Sequence, residues 1–96
     1  MMSEIPIKLK MAKKADIDKE VLRAAVMAEL DAISLYEQLA EITGNDLVRK
    51  VFRDIAREEK THVGEFQALL LELDKEQVEE LGKGKKEVEG IREGKE

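Results

Sequence analysis

The chain has 96 residues, 41% of them charged and only 3% aromatic, with a formal net charge of -5. That allows one domain with a small core, and because acids and bases are interspersed it excludes the coherent basic face that nucleic acid requires. The lack of cysteine excludes a disulfide framework, a Cys-based zinc site and a rubredoxin-type iron centre.

Residues 1 to about 16 predict an irregular N-terminal arm, since Pro6 and four lysines do not suit a packed element. The start, "MMSEIPIKLKMAKK", lacks the apolar stretch of a secretory leader, so export by that route is not expected. Asp16 or Asp18 is placed to cap the helix that follows, with Glu20 opposing the macrodipole in its first turn. That helix is expected to run to about Thr43, where Gly44 supplies a left-handed stop. Asn45 or Asp46 then caps a second helix reaching about Leu73. Each helix is roughly 26–28 residues, or about 40 Å, and the "GN" connection permits only an antiparallel hairpin. Asp74 with Gln77 forms a capping-box pattern, which predicts a short third helix to Leu81; one helix continuing through Asp74 is the alternative. From Gly82 onward, glycines among charges and two isolated aliphatics predict a flexible tail or linker. The expected class is all-α: an arm (1–16), a helical hairpin domain (17–81) and a charged tail (82–96). No apolar run approaches the ~18 residues of a membrane span, so no membrane partner is expected. Abundant Glu and Lys with few Asn and Gln is the composition of a hyperthermophile protein.

Both helices carry apolar stripes, and both stripes are interrupted. Leu22, Ala25, Val26, Ala32, Ile33, Tyr36, Leu39 and Ala40 form one face of the first helix, with Glu29 in its middle. Val48, Val51, Phe52, Ile55, Val63, Phe66, Leu69, Leu70 and Leu73 mark the second, and the steps 55, 59, 62, 66 have the spacing of a bundle seam. Glu59 and His62, the one histidine of the chain, occupy that seam. Glutamate is 16 of 96 residues, so Glu-x-x-His alone is a weak signal. The stronger one is three polar residues at mid-stripe, with Glu29 about 14 residues before the turn and Glu59 about 15 after it, hence level in a hairpin. A carboxylate on a dry face without a partner is costly. Metal ligation gives all three residues a reason; a Glu–His ion pair on a helix flank is the bland alternative.

Glu from one helix and Glu-x-x-His from another is half of the ligand set of a carboxylate-bridged di-iron bundle. A two-fold dimer of hairpins supplies the other half and closes a four-helix core at the same step.

"AELDAISLYEQLA" and "DIAREEKTH", with thirty residues from Glu29 to Glu59 and three more to His62, closely resemble the encapsulated ferritins, half-length ferritin-like proteins held in encapsulin nanocompartments. The resemblance covers about residues 18 to 81. It implies a ferroxidase, an Fe(II):oxygen oxidoreductase, with two irons per dimer held by Glu29, Glu59 and His62 of each chain. It also implies a ring-shaped decamer of five dimers, an encapsulin shell as partner, and a cytoplasmic place inside the shell, where oxidised iron is stored. Acidic residues of the family line a path by which metal reaches the site. Asp31 matches one of them, while Ala28 stands where another acid would be and Leu35 where an aromatic is expected. The usual C-terminal docking peptide is not visible in "KEVEGIREGKE". Some archaeal relatives fuse this domain to the shell protein, so the tail reads as the start of such a linker, in a stand-alone chain or a trimmed one.

Tyr36, two turns from Glu29, is placed either to hydrogen-bond a ligand carboxylate and quench an oxidant or to pack in the core. Glu58, four residues before His62, is placed either to orient its ring or to stand solvated on the flank. Two further readings use the same residues: a di-iron or dimanganese peroxidase or catalase, and a non-enzymatic helical assembly module whose polar seam fixes register.

Overall fold

The computed structural model describes residues 14–95, so Pro6 and residues 1–13 of the arm expected over 1–16 lie outside the described residues, while its last three, 14–16, are helical. Within them the chain is all-α: α1 (Lys14–Ile42), α2 (Asp46–Leu73) and α3 (Lys75–Arg92). No glycine or proline interrupts α1, and its Ala-, Leu- and Glu-rich sequence has high intrinsic helix propensity. Asp16 and Asp18 lie inside α1 rather than capping it: the helix starts before them, and Asp16 faces the macrodipole from the first turn.

The turn between α1 and α2 is built differently from the expected glycine stop. Gly44 does not adopt a positive φ; among the described glycines only Gly94 does. The free carbonyls at the end of α1 are met instead by Arg49 of α2. Its Nε donates to the Ala40 carbonyl at 3.1 Å and its Nη2 to the Thr43 carbonyl, while Nη1 holds Asp46. A cation placed on helix C-terminal carbonyls satisfies both hydrogen bonding and the macrodipole, which removes the need for a left-handed residue. Asn45 caps α2, accepting from the Val48 N–H at 3.0 Å.

α1 and α2 pack along their length. The interior of the hairpin is thin: among the described residues only Ala40, Ala56 and Leu70 are buried apolar side chains. Two small residues among them let the helix axes come close. Seven residues nearer the turn than Glu29 and Glu59 on their helices, Tyr36 and Phe52 are level with each other and stack with ring centroids 5.9 Å apart.

The third helix does not stop at Leu81; it runs to Arg92, and the expected flexible tail from Gly82 is corrected accordingly. Gly82, Gly84 and Gly90 each cost a helix interior about 0.5–1 kcal/mol, but both ends of α3 are well made. Asp74 accepts from the Gln77 N–H at 3.0 Å. At the far end Gly94, with φ 73°, ends the helix. Its N–H donates to the Ile91 carbonyl and that of Lys95 to the Gly90 carbonyl, the paired bonds of a Schellman motif. Lys83–Glu80 and Arg92–Glu89 pairs add local support. α3 buries no side chain and projects sideways, so the molecule is nearly as broad as it is long, 46 × 45 × 19 Å.

Candidate metal centre

α1 and α2 each place their interrupting polar residues on the same side of the hairpin at the same height. Glu29, Glu59 and His62 each offer one ligand atom, and these atoms all lie within 4.8 Å of one another. His62 Nδ1 is 3.3 Å from Glu29 Oε2 and 3.6 Å from Glu59 Oε1. The two carboxylates are largely shielded, at 20% and 18% side-chain exposure, whereas His62 is open at 45%. The donors thus sit in a shallow bay, screened by the hairpin on one side and open on the other. All three residues read from the sequence are brought together, and no other acid, histidine or cysteine joins the group among the described residues.

The remaining candidates are not in the bay. Tyr36 is half-buried and spends its ring on Phe52. The signal for that contact was present in the numbering: Tyr36 follows Glu29 by seven residues and Phe52 precedes Glu59 by seven, so an antiparallel hairpin puts them level. Asp31 is half-buried on α1, two residues beyond Glu29, and is not one of the three clustered donors. Glu58 is exposed, and its carboxyl lies by that of Asp54, whose acidity is raised first by the Arg57 guanidinium and then by Glu58. Glu58 therefore stands on the solvated flank.

The seam around the bay is apolar and open. Val48, Val51, Leu69 and Leu73 continue the seam of Ile55, Glu59, His62 and Phe66 above and below it, and all four are exposed, Val51 and Leu69 by half. At the open end of the hairpin Val21, Leu22, Leu69 and Leu73 line a groove of about 290 Å³. The other side of the hairpin is charged. Lys60, one residue and so about 100° round the helix from Glu59, binds Glu37 at 2.9 Å, and Arg53 reaches Glu41 at 3.4 Å. These four residues and Arg57 line a groove of about 620 Å³ in which none of the three clustered donors takes part.

Residues 20–93 match the sequence model of the family Rubrerythrin. The chain belongs to the rubrerythrin family. The match runs beyond Leu81 to take in α3, as the structure does. Within this ferritin-like family the chain is 61% identical, over 72 residues, to the ferritin-like–encapsulin shell fusion protein of Pyrococcus furiosus. That alignment covers 75% of the chain and 21% of the fusion protein. It is 42% identical over 48 residues to an uncharacterized protein of Bacillus subtilis, across 50% of this chain and 33% of that one. The chain thus spans about a fifth of the first relative and a third of the second. The crystal structure of the encapsulated ferritin domain from Pyrococcus furiosus matches with a TM-score of 0.81 at 48% identity, covering 95% of this chain and 87% of that one. The resemblance to the encapsulated ferritins drawn from the two helix motifs is upheld. No described helix is long and apolar enough to cross a membrane.

Proposed function

We propose that this rubrerythrin-family chain is a ferroxidase whose substrate, Fe(II), binds between two paired copies through Glu29, Glu59 and His62 of each. The observation that carries this reading is the convergence of those three donors, from two helices, within 4.8 Å. Carboxylate and imidazole donors with room left for dioxygen suit iron, and three donors are half the set of a carboxylate-bridged di-iron bundle. A second hairpin related by a two-fold axis completes the set and covers the exposed aliphatics of the seam, a surface of the kind that marks an interface. Four carboxylates then balance two Fe(II). Each iron yields one electron, so one dioxygen takes up two electrons and two protons and leaves as hydrogen peroxide, and the ferric product, over-charged for the site, is released to a mineral.

The name of the Pyrococcus relative supports an encapsulin shell as partner; the family resemblance adds a ring-shaped decamer of five dimers that delivers iron to the lumen. Asp31, two residues and about 200° round α1 from Glu29, is assigned to a metal path by the family resemblance and lies outside the cluster. Tyr36 is suited to holding the ligand-bearing helices in register through Phe52.

A structural Glu–His pairing has one observation in its favour: the His62 ring already lies within ion-pair reach of both carboxylates. Metal content and particle size separate the readings. Fe(II) added under nitrogen should bind at one iron per chain and produce a larger species by light scattering. Admitting air should then develop ferric absorbance faster than peroxide is turned over, which sets a ferroxidase apart from a peroxidase or catalase. A monomer that binds two irons tightly, or an intact assembly that takes up no metal, sinks the proposal.

A further inference from the structure

α2 and α3 are separated by a single residue, Asp74, at φ -131° and ψ 87°. No glycine or proline stands between Gly64 and Gly82 to require a break there. The flanking Leu71–Glu72–Leu73 and Lys75–Glu76–Gln77 are mostly strong helix formers, so the local sequence favours one continuous helix. Side-chain contacts oppose it. Asp74 Oδ1 accepts from the Gln77 N–H at 3.0 Å, and Oδ2 accepts from Arg23 Nη2 at 2.8 Å. Arg23 comes from α1 and is steadied by Glu20 at 2.7 Å. The Asp74 carboxyl is held below its ordinary range, first by the Gln77 N–H and with help from Lys19 and Arg23, against partial desolvation.

The two arrangements exclude each other. In a continuous helix the Gln77 N–H bonds the Leu73 carbonyl and is no longer free for the Asp74 side chain. Among the described residues α3 buries no side chain and its backbone stays more than 8 Å (Cα) from α1, so the Asp74 contacts are what hold its direction. Yet that direction decides where its exposed aliphatics Val78, Leu81, Val88 and Ile91 are presented.

We infer that the Arg23–Asp74 bridge is a latch that keeps α2 and α3 apart, and that its release lets them fuse into one straight helix. The hairpin thereby controls, through one α1 side chain, whether α3 lies across the molecule or extends from it. The straight form is about 70 Å long over its ~47 residues, well beyond the 46 Å extent of the latched molecule.

The chain has no cysteine, so Lys50→Cys with Lys86→Cys places one pair of spin labels on the full-length protein, diluted with unlabelled chains to suppress distances between copies. In a straight helix these sites are ~54 Å apart, and any bend at Asp74 shortens that distance. The parent should peak well short of ~54 Å. Arg23→Ala and Asp74→Asn, which keeps a capping side chain but removes the charge, should each raise the weight near ~54 Å several-fold. Without any substitution, 1 M salt, where the screening length is ~3 Å, should move the parent the same way. Circular dichroism confirms that each variant stays helical. The inference is overturned if the parent already peaks near ~54 Å. It is equally overturned if Arg23→Ala, Asp74→Asn and salt all leave the distribution unmoved while Asp74→Ala shifts it, because the cap alone would then hold the break.

Discussion

The two sides of the hairpin solve opposite problems. On the charged side four cations are paired within their own chain: Lys60 with Glu37, Arg53 with Glu41, Arg57 with Asp54, and Arg49 with Asp46 and the Ala40 and Thr43 carbonyls. On the seam side, aliphatics lie exposed around a bay that gathers two carboxylates and an imidazole. The charged side is paired within one chain; on the proposed reading the seam is completed by a second copy. An apolar surface that surrounds concentrated negative charge is a poor end state for a lone hairpin and a sound one for half of a metal-bridged pair.

The sharpest way to break this contrast is to alter the bay. His62→Ala removes a neutral donor and keeps both carboxylates; losing a supporting residue alone costs ~10–100-fold in metal affinity, so losing a ligand should cost at least that. Iron oxidation should fall in step. Glu59→Ala should weaken metal-dependent assembly further, yet raise the melting temperature of metal-free protein by relieving its repulsion with Glu29 in the same bay. A structural Glu–His pair demands the opposite, since either change strands its partner. Melts with chelator and with Fe(II) under nitrogen decide the matter: a fall in the metal-free value for Glu59→Ala, with iron shifting no protein, ends the metal reading.

The bay was legible because it is a matter of period. Positions 48, 51, 55, 59, 62, 66, 69 and 73 advance by threes and fours, so two polar residues among them stand out, and hairpin level then selects Glu29. Less legible was whatever depends on a distant side chain. Gly44 is a reasonable left-handed stop until Arg49 reaches back to the Ala40 and Thr43 carbonyls, a contact that no local pattern announces. α3 was cut short for a related reason. Glycines scattered among charges have the composition of a flexible tail, whereas a helix secured at Asp74 and at Gly94 propagates through modest penalties once nucleated. The break at Asp74 carried a local signal, the pattern with Gln77, but that signal did not choose between a cap and a continuous helix; the Arg23 contact accompanies the cap.

A smaller effect tests whether the charged side needs only its own chain. Arg49→Ala should strand two carbonyls at the end of α1 and lower stability by about 1–2 kcal/mol, the lower part of the range for bonds to a charged group because the site is half-exposed. Arg49→Lys should recover only part of this, because an ammonium lacks the fork that spans both acceptors. Arg49 is ten residues and about 15 Å along α2 from Glu59, so iron oxidation per folded molecule should not change. A loss of oxidation larger than the loss of folded protein would tie the turn to the bay.

The smallest effect probes the charged side for a hidden neighbour. Gly64 sits inside α2, five residues and about 140° round the helix from Glu59, hence on the charged side and away from the seam. A methyl group added there meets nothing within 4 Å, and φ is not in the left-handed region. For an exposed helical position with open space, Gly64→Ala should stabilise by about 0.5–1 kcal/mol through reduced freedom of the unfolded chain. In a domain of this size that is a rise of roughly 2–8 °C. The measurement belongs in two states, metal-free protein and iron-loaded assembly, because the methyl group is harmless only where nothing packs. Equal stabilisation in both leaves the charged side facing solvent and the seam as the surface that a second copy covers. Stabilisation without iron that turns to destabilisation with it would mean that assembly brings another backbone against Gly64. The charged side would then be an interface too, and the contrast between the two sides would hold for the single chain alone.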